Sequence, residues 1–236
     1  LSIDRKLAKK ILDTADTSLS EHDSKALLEL YGIPVTREKV VNSVDDAVKF
    51  AEKIGFPVVL KIDSPDILHK TEADVIRLGI NSPKDIAKSY EEIMDNATRY
   101  NPEARINGVA VQEMVIGGTE VIAGMSQDPQ FGPIIAFGLG GIFVEVLKDI
   151  SLRIIPLSKS EAKKMVQQIK GYPILEGVRG RSRADIEAVE DLLSRLSRLT
   201  EDWKDYIAEI DINPLIVLDQ GRGVKALDAL VVLKKK

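Results

Sequence analysis

The sequence contains no cysteine. That absence removes disulfides, thiolate metal sites and cysteine nucleophiles together, and it suits an intracellular, cytoplasmic chain. No apolar run approaches the roughly 20 residues of a membrane span. The longest, from Gly132 to Val146, is broken by glycines and ends in charge. The first ten residues are charged and lack an apolar core, so no signal peptide is expected. Net charge is -4, and the only basic block is the last three lysines. Nucleic-acid binding therefore has no electrostatic footprint. Histidine is scarce, with two in the chain. What is present is 236 residues with 44% hydrophobic and 30% charged side chains. That describes a globular protein with one large domain or two small ones. High charge without cysteine points towards a thermophilic source.

Helix punctuation is clear. Ser20 with Asp23 opens a helix that Gly32 ends, and Ser43 with Asp46 opens a second that Gly55 closes. Ser82, Pro83 and Asp85 open a third, with Ile86, Tyr90, Ile93 and Ala97 at helical spacing. Ser158 and Glu161 form a capping box before Ala162, Met165, Val166 and Ile169, with Gly171 after. A fifth helix is expected over 184–199. Strands are expected at 57–62, 75–80, 109–115, 120–125, 133–137, 153–157, 208–218 and 224–233. The last two flank Gly221 and Gly223 and read as a hairpin. The pattern predicts an α+β fold in two lobes, 20–115 and 116–236, with residues 1–19 as an N-terminal extension.

The acidic hairpin carries the first chemical signal. Glu209, Asp211 and Asn213 alternate along one strand face, and Pro214 suits a strand edge or bulge. If Val217 pairs with Val224, Asn213 falls opposite Asp228, which lies among Ala226, Leu227, Ala229 and Leu230. Converging oxygens with open positions suit Mg²⁺ shared with phosphates. A solvated outer face is the alternative. Lys61 ends an apolar strand and suits phosphate, or is an ordinary strand-end lysine. His69 sits in a polar loop between two strands, where a neutral imidazole is a competent phosphoryl acceptor; a surface histidine is the plainer reading. His22 falls in the first turn of a capped helix and is read as structural. Gly117-Gly118-Thr119-Glu120 and Gly138-Leu139-Gly140-Gly141 suit close approach of backbone to phosphate. Neither is a P-loop, and the third glycine of a dinucleotide fingerprint is replaced by Phe143.

Taken in order, these motifs carry a resemblance. They are the strand lysine, the His-Lys-Thr-Glu loop from His69, Val-Gln-Glu-Met-Val ending at Val115, Gly-Gly-Thr-Glu ending at Glu120, and Gly-Leu-Gly-Gly-Ile-Phe-Val-Glu ending at Glu145. Leu175-Glu176-Gly177-Val178-Arg179-Gly180, Asp-Ile-Asn-Pro-Leu and Ala-Leu-Asp-Ala-Leu follow. The set resembles the ATP-grasp β subunit of ADP-forming acetyl-CoA (acyl-CoA) synthetases, best known from archaea, over about 18–233.

The resemblance implies an ATP-grasp fold with ATP between two lobes. It implies that Lys61 contacts phosphate, that Glu113 and the backbone near Val115 hold adenine, and that Glu120 holds the ribose. Gly140 and Gly141 serve the nucleotide and, with Glu145, lie near the transfer path. Asp211, Asn213 and Asp228 bind Mg²⁺. Such enzymes interconvert acyl-CoA, ADP and phosphate with acid, CoA and ATP. A histidine of a partner α subunit is phosphorylated first, and the histidine matching His69 relays the group to ADP. The α subunit carries the CoA and acyl site, and an α₂β₂ assembly is implied. One departure concerns the histidine loop. Glu72 stands where the family often has Asp, and Asp74 where glycine is common, which predicts a stiffer loop.

Rival readings are a succinyl-CoA-synthetase-like ligase subunit, a stand-alone ATP-grasp ligase, a non-catalytic ATP-binding regulatory subunit and a nucleotide-free interaction protein. A stand-alone ligase usually carries a further nucleotide-like domain, for which the 20 or so leading residues are too few. The glycine and acidic motifs argue against an interaction protein.

Overall fold

The computed structural model describes residues 3–67, 69–141, 148–178, 180 and 182–235. Glu145 therefore lies outside the described residues. The chain forms two compact units. The smaller comprises Ser20–His22 and Thr36–Ile116, and the larger comprises Leu1–Leu19, Asp23–Val35 and Gly117–Lys236. The sequence reading divides the lobes between 115 and 116. Residues 23–35 do not follow it, because they pack with the larger unit.

In the smaller unit, β1 (Glu38–Val41), β2 (Val58–Asp63), β3 (Ile76–Ile80) and β4 (Gly108–Glu113) form an antiparallel sheet in the order β1-β4-β2-β3. Helices α3 (Val44–Ile54) and α4 (Pro83–Tyr100) pack on it. Ser43 and Ser82 cap them by accepting the amides of Asp46 and Asp85. Val58, Leu60 and Ile62 meet Ala47, Ala51, Ile86 and Ile93 in one core. The alternate residues Val59, Lys61 and Asp63 are buried too, so the second face of β2 is also covered.

In the larger unit, β5 (Thr119–Asp128), β6 (Gly132–Leu139), β7 (Ile150–Ile154), β8 (Ile207–Val217) and β10 (Leu230–Leu233) run antiparallel in the order β10-β8-β5-β6-β7, and β9 (Val224–Ala226) also pairs with β8. Helices α5 (Lys159–Gln167), α6 (Tyr172–Glu176) and α7 (Ile186–Trp203) follow β7. The capping box at Ser158 and Glu161 is formed. From α7, Val189, Leu192, Leu193, Leu196 and Leu199 enter a core with Val121, Ala123, Met125, Ile135, Phe137, Ile210 and Ile212. Each large side chain buried there contributes roughly 1.5–3 kcal/mol.

The first residues are part of this core. Helix α1 (Arg5–Leu12) buries Ala8 and Leu12, and Arg5 pairs with Asp202. Helix α2 (Glu21–Leu30) brings Leu27, Leu28 and Tyr31 to the same cluster. The Tyr31 hydroxyl donates to Asp202 at 2.9 Å and accepts from the Trp203 indole at 2.8 Å. Burial and the neighbouring Asp202 carboxylate push its pKa up. The chain is stitched to the sheet at Ser18 opposite Val232 and Val35 beside Ala226. These contacts move 23–35 into the larger unit. No helix among the described residues is long and apolar enough to cross a membrane.

Four elements differ from the sequence reading, among them β7, which spans Ile150–Ile154 where 153–157 is expected. Strand β1 and helix α6 are too short to leave a periodic signal. The last strand is interrupted at 227–229, giving β9 and β10.

Asp185 caps α7 at the Ala188 amide and also accepts the Gly223 amide at 2.7 Å. Ser43 makes one cap bond, at 3.2 Å. Asp185→Ala should therefore destabilise by about 2 kcal/mol and Ser43→Ala by about 1 kcal/mol. Chemical denaturation of the two variants checks the order.

Candidate functional site

The smaller unit carries Lys61, His69, Glu113 and Val115. Lys61 lies within β2, one residue further inside the strand than expected, and is only 6% exposed. Its partner on β4 is Ala110, whose short side chain leaves room for the lysine stem. The ammonium is 2.9 Å from Glu21 Oε1 at the start of α2. The other oxygen of that carboxylate is 3.0 Å from Lys70 Nζ. Asp63 accepts the His22 amide at 3.2 Å and the Asn107 side chain at 2.9 Å. His22 Nδ1 lies 3.2 Å from Glu38, so the structural reading of His22 has a definite partner.

His69 sits on the loop between β2 and β3 with its side chain exposed. The loop is fastened on both sides of it. Asp66 receives the Arg105 amide at 2.8 Å, Nε at 2.9 Å and Nη2 at 2.7 Å. Asp74 takes Arg77 Nη1 at 2.8 Å and the Asn96 amide at 3.0 Å. Between them the amides of Ala73 and Val75 donate to the carbonyls of His69 and Lys70. Asp74 has φ +52°. The residue that replaces the family's glycine thus keeps the left-handed conformation a glycine adopts readily.

The Glu113 carboxylate accepts Arg37 Nε at 2.6 Å and the Arg37 amide at 3.0 Å. Val115 is half-buried just beyond β4.

The larger unit carries Glu120, Gly140, Gly141, Asp211, Asn213 and Asp228. Buried positions on β8 fall at Ile210 and Ile212, then at Leu215 and Val217. The alternation slips one residue at Asn213–Pro214, where the β5–β8 register also shifts. This is the bulge that Pro214 suggests. Glu209, Asp211 and Asn213 share the face opposite Ile210 and Ile212. Val217 pairs with Val224 as expected, and Leu215 with Ala226. Leu230 pairs with Asp211 at the same numbering offset. Asn213 and Asp228 fall in the gap between β9 and β10, where no strand pairing is made. Burial, then the Glu209 and Asp228 charges, push the Asp211 carboxyl up to about 6.

Among the described residues, no group of three or more His, Cys, Asp or Glu side chains could hold a metal ion. Two carboxylates and an amide remain. That donor set fits Mg²⁺, which usually takes one or two carboxylates and completes its shell with phosphate and water.

Two glycines of the predicted clusters have local reasons. A Cβ on Gly140 would lie 2.7 Å from Glu120 Cγ, so glycine there lets Glu120 cross the end of β6. Gly118 has φ +86°, and a Cβ there would meet Ile216 at 2.5 Å. A cavity of about 170 Å³ at the start of α7 is lined by Arg183, Asp185, Glu187 and Gln220 among others, and by none of the predicted site residues.

Sequence reasoning missed Glu21, Arg37, Arg105 and Arg77. A buried lysine demands a counter-charge, but which of many acids supplies it is a tertiary fact. Arg105 holds Asp66 at about 2, below its ordinary 3.8. Because the folded value is depressed, the pair stabilises the fold above about pH 3.8 and loses that contribution as pH falls towards 2. The pair is largely exposed, so screening keeps it below about 1 kcal/mol. Asp66→Asn should speed amide exchange at Ala73 and Val75 at pH 7, and the difference from wild type should shrink as pH drops from 4 towards 2.

The family of ATP-grasp domains matches residues 10–233. The β subunit of acetate–CoA ligase (ADP-forming) II from Pyrococcus furiosus is 48% identical over 229 residues, 97% of each chain. The acetate–CoA ligase (ADP-forming) I of Archaeoglobus fulgidus is 44% identical over 95% of this chain, which corresponds to 33% of that longer protein. Among solved structures, dinucleotide-forming acetyl-coenzyme A synthetase 1 of Candidatus Korarchaeum cryptofilum, with coenzyme A and Ca-AMPCP bound, superposes with TM-score 0.91 at 42% identity, covering 98% of this chain and 99% of that one. The same synthetase with Mg-AMPPCP, its phosphohistidine segment pointing towards the nucleotide-binding site, gives TM-score 0.83 at 40% identity over the same shares. The chain belongs to the ATP-grasp family, among the β subunits of ADP-forming acetate–CoA ligases.

Proposed function

We propose that this chain transfers a phosphoryl group between a phosphohistidine and ADP in the reaction acyl-CoA + ADP + phosphate = acid + CoA + ATP. It works in the cytoplasm with an α subunit, in an α₂β₂ assembly, where α supplies the CoA and acyl site and the first phosphohistidine. The observation that carries this reading is the His69 loop. Its imidazole is exposed while both flanks are fastened by Asp66 and Asp74. Such a loop presents a nucleophile to an incoming group without leaving the backbone loose.

Each transfer breaks one bond to phosphorus and makes another. A nitrogen of His69 takes the group as the bond to the partner's histidine breaks. An oxygen of the ADP β-phosphate then takes it as the bond to His69 breaks. A neutral imidazole offers the lone pair for the first step without a prior proton loss. Lys61 faces the nucleotide phosphates and offsets their charge. Since Arg37 occupies the Glu113 carboxylate, adenine recognition falls to the backbone of 113–115. Glu120 takes the ribose. Gly140 and Gly141 let the backbone come close to the nucleotide, and Glu145 is assigned to the transfer step. Asp211, Asn213 and Asp228 would hold Mg²⁺, which would supply positive charge against the phosphate oxygens.

Incubation of the α–β complex with labelled ATP and Mg²⁺ should leave acid-labile phosphate on His69. His69→Ala should cut ATP formation from acyl-CoA by about 10⁴-fold or more while nucleotide binding persists. Phosphorylation of the α subunit by acyl-CoA and phosphate should survive. A His69→Ala complex that makes ATP near the normal rate would mean direct transfer from α to ADP. Nucleotide binding without any phosphate on His69 would favour a regulatory subunit.

Lys61→Ala should slow transfer by about 10²-fold, because a cation facing concentrated phosphate charge is lost. Unchanged turnover and ATP affinity in that variant would remove Lys61 from the site.

A further inference from the structure

The carboxylate of Glu21 is shared. Oε1 is 2.9 Å from Lys61 Nζ, and Oε2 is 3.0 Å from Lys70 Nζ. All three side chains are nearly excluded from solvent, at 4%, 7% and 11% exposure for Glu21, Lys61 and Lys70. Lys61 projects from a strand, Lys70 directly follows His69, and Glu21 opens a helix. One charged group therefore joins a strand lysine to the loop that bears the histidine.

Stability alone does not account for this arrangement. Burying an ion pair recovers little more than its desolvation, and well-packed apolar residues of similar volume are often equally or more stabilising. The arrangement does fix spacing. Two ammonium groups on flexible stems repel each other, and a carboxylate with one oxygen on each holds both at a set distance.

We infer that Glu21 is a positioning residue: it divides one carboxylate between the lysine that serves the nucleotide phosphates and the lysine beside His69, and so sets both cations for phosphoryl transfer. The inference rests on the function proposed above. Binding and transfer should respond differently to its loss. Attraction of ADP depends on the presence of positive charge and falls off slowly with distance. Stabilising a moving phosphoryl group depends on where the charge sits, and misplacement by an ångström costs about 10²-fold.

The test uses the assembled α–β complex with Glu21→Gln and Glu21→Asp. Single-turnover transfer from phosphorylated complex to ADP, ADP affinity and melting temperature are measured for each. Glu21→Gln should slow transfer by about 10²-fold and leave ADP affinity within about threefold. Glu21→Asp, which keeps the charge but withdraws it, should fall between Gln and wild type. Wild-type transfer in Glu21→Gln would overturn the inference. So would equal losses of rate and affinity with no recovery in Glu21→Asp, the result of a purely structural role. If Glu21→Gln fails to fold, Glu21→Asp decides: slowed transfer with ADP affinity kept supports the inference, and wild-type transfer overturns it. Absence of acid-labile phosphate on His69 in the wild-type complex would instead defeat the proposed function, and this inference with it.

Discussion

An ammonium group in a strand buried on both faces needs a counter-charge, because isolated desolvation of a cation costs several kcal/mol. At Lys61 that requirement reaches well beyond one side chain. Glu21 meets it from the first turn of α2, so the helix must begin where its carboxylate reaches β2. The next residue, His22, donates its amide to Asp63 two positions along the same strand. These ties hold Ser20–His22 to the smaller unit, although Leu27 and Leu28 of the same helix enter the core of the larger one. A helix whose first turn answers to a buried charge and whose later turns answer to apolar packing is what the two demands together produce.

The acidic face of β8 poses the opposite electrostatic problem. Burial, with the Glu209 and Asp228 charges adding to it, raises the Asp211 carboxyl to about 6. An apolar core on the other side of the strand fixes which way these groups face, since Ile210 and Ile212 are buried. The bulge at Asn213–Pro214 then shifts the phase, so Leu215 and Val217 stay in the core while Asn213 remains beside the acids. Without that extra residue, either the lower or the upper half of β8 would turn its apolar side outwards.

Local chemistry made much of this legible in the sequence. The serine caps of α3 and α4 and the capping box of α5 each act within four residues, and so the starts of those helices were legible. The hairpin register followed from one turn, because antiparallel pairing propagates a single offset along both strands. The interruption at 227–229 did not follow, since nothing in Leu227, Asp228 or Ala229 announces a break. The candidate site was named as residue types in order. Its connections were not. Glu21 lies 40 positions from Lys61, and Arg105 lies 39 from Asp66. Such separations are set by how strands and loops stack, which no local pattern records. The assignment of 23–35 fails for the same reason: a helix boundary is local, whereas the core a helix joins is not.

Asp74 combines a left-handed backbone with a side chain that is itself an anchor. The left-handed conformation costs an ordinary residue roughly 1–2 kcal/mol, less for Asp and Asn, which visit it more readily than other residues. Hydrogen bonds to a charged group are worth about 1.5–3 kcal/mol where they are shielded, and less here, because Asp74 is 70% exposed. The bonds from Arg77 and Asn96 are therefore of the size needed to offset the strain, without a large surplus. A glycine would reach the same backbone shape at no steric cost but would have no carboxylate to tie to α4, and its unfolded chain would have more freedom to lose. The aspartate thus exchanges conformational ease for an anchor. With Asp66 fastened on the other side, the turn that carries His69 is fixed at its base while the imidazole stays open to solvent. If His69 is the acceptor proposed above, that combination serves it, since an acceptor must be accessible and its approach repeatable.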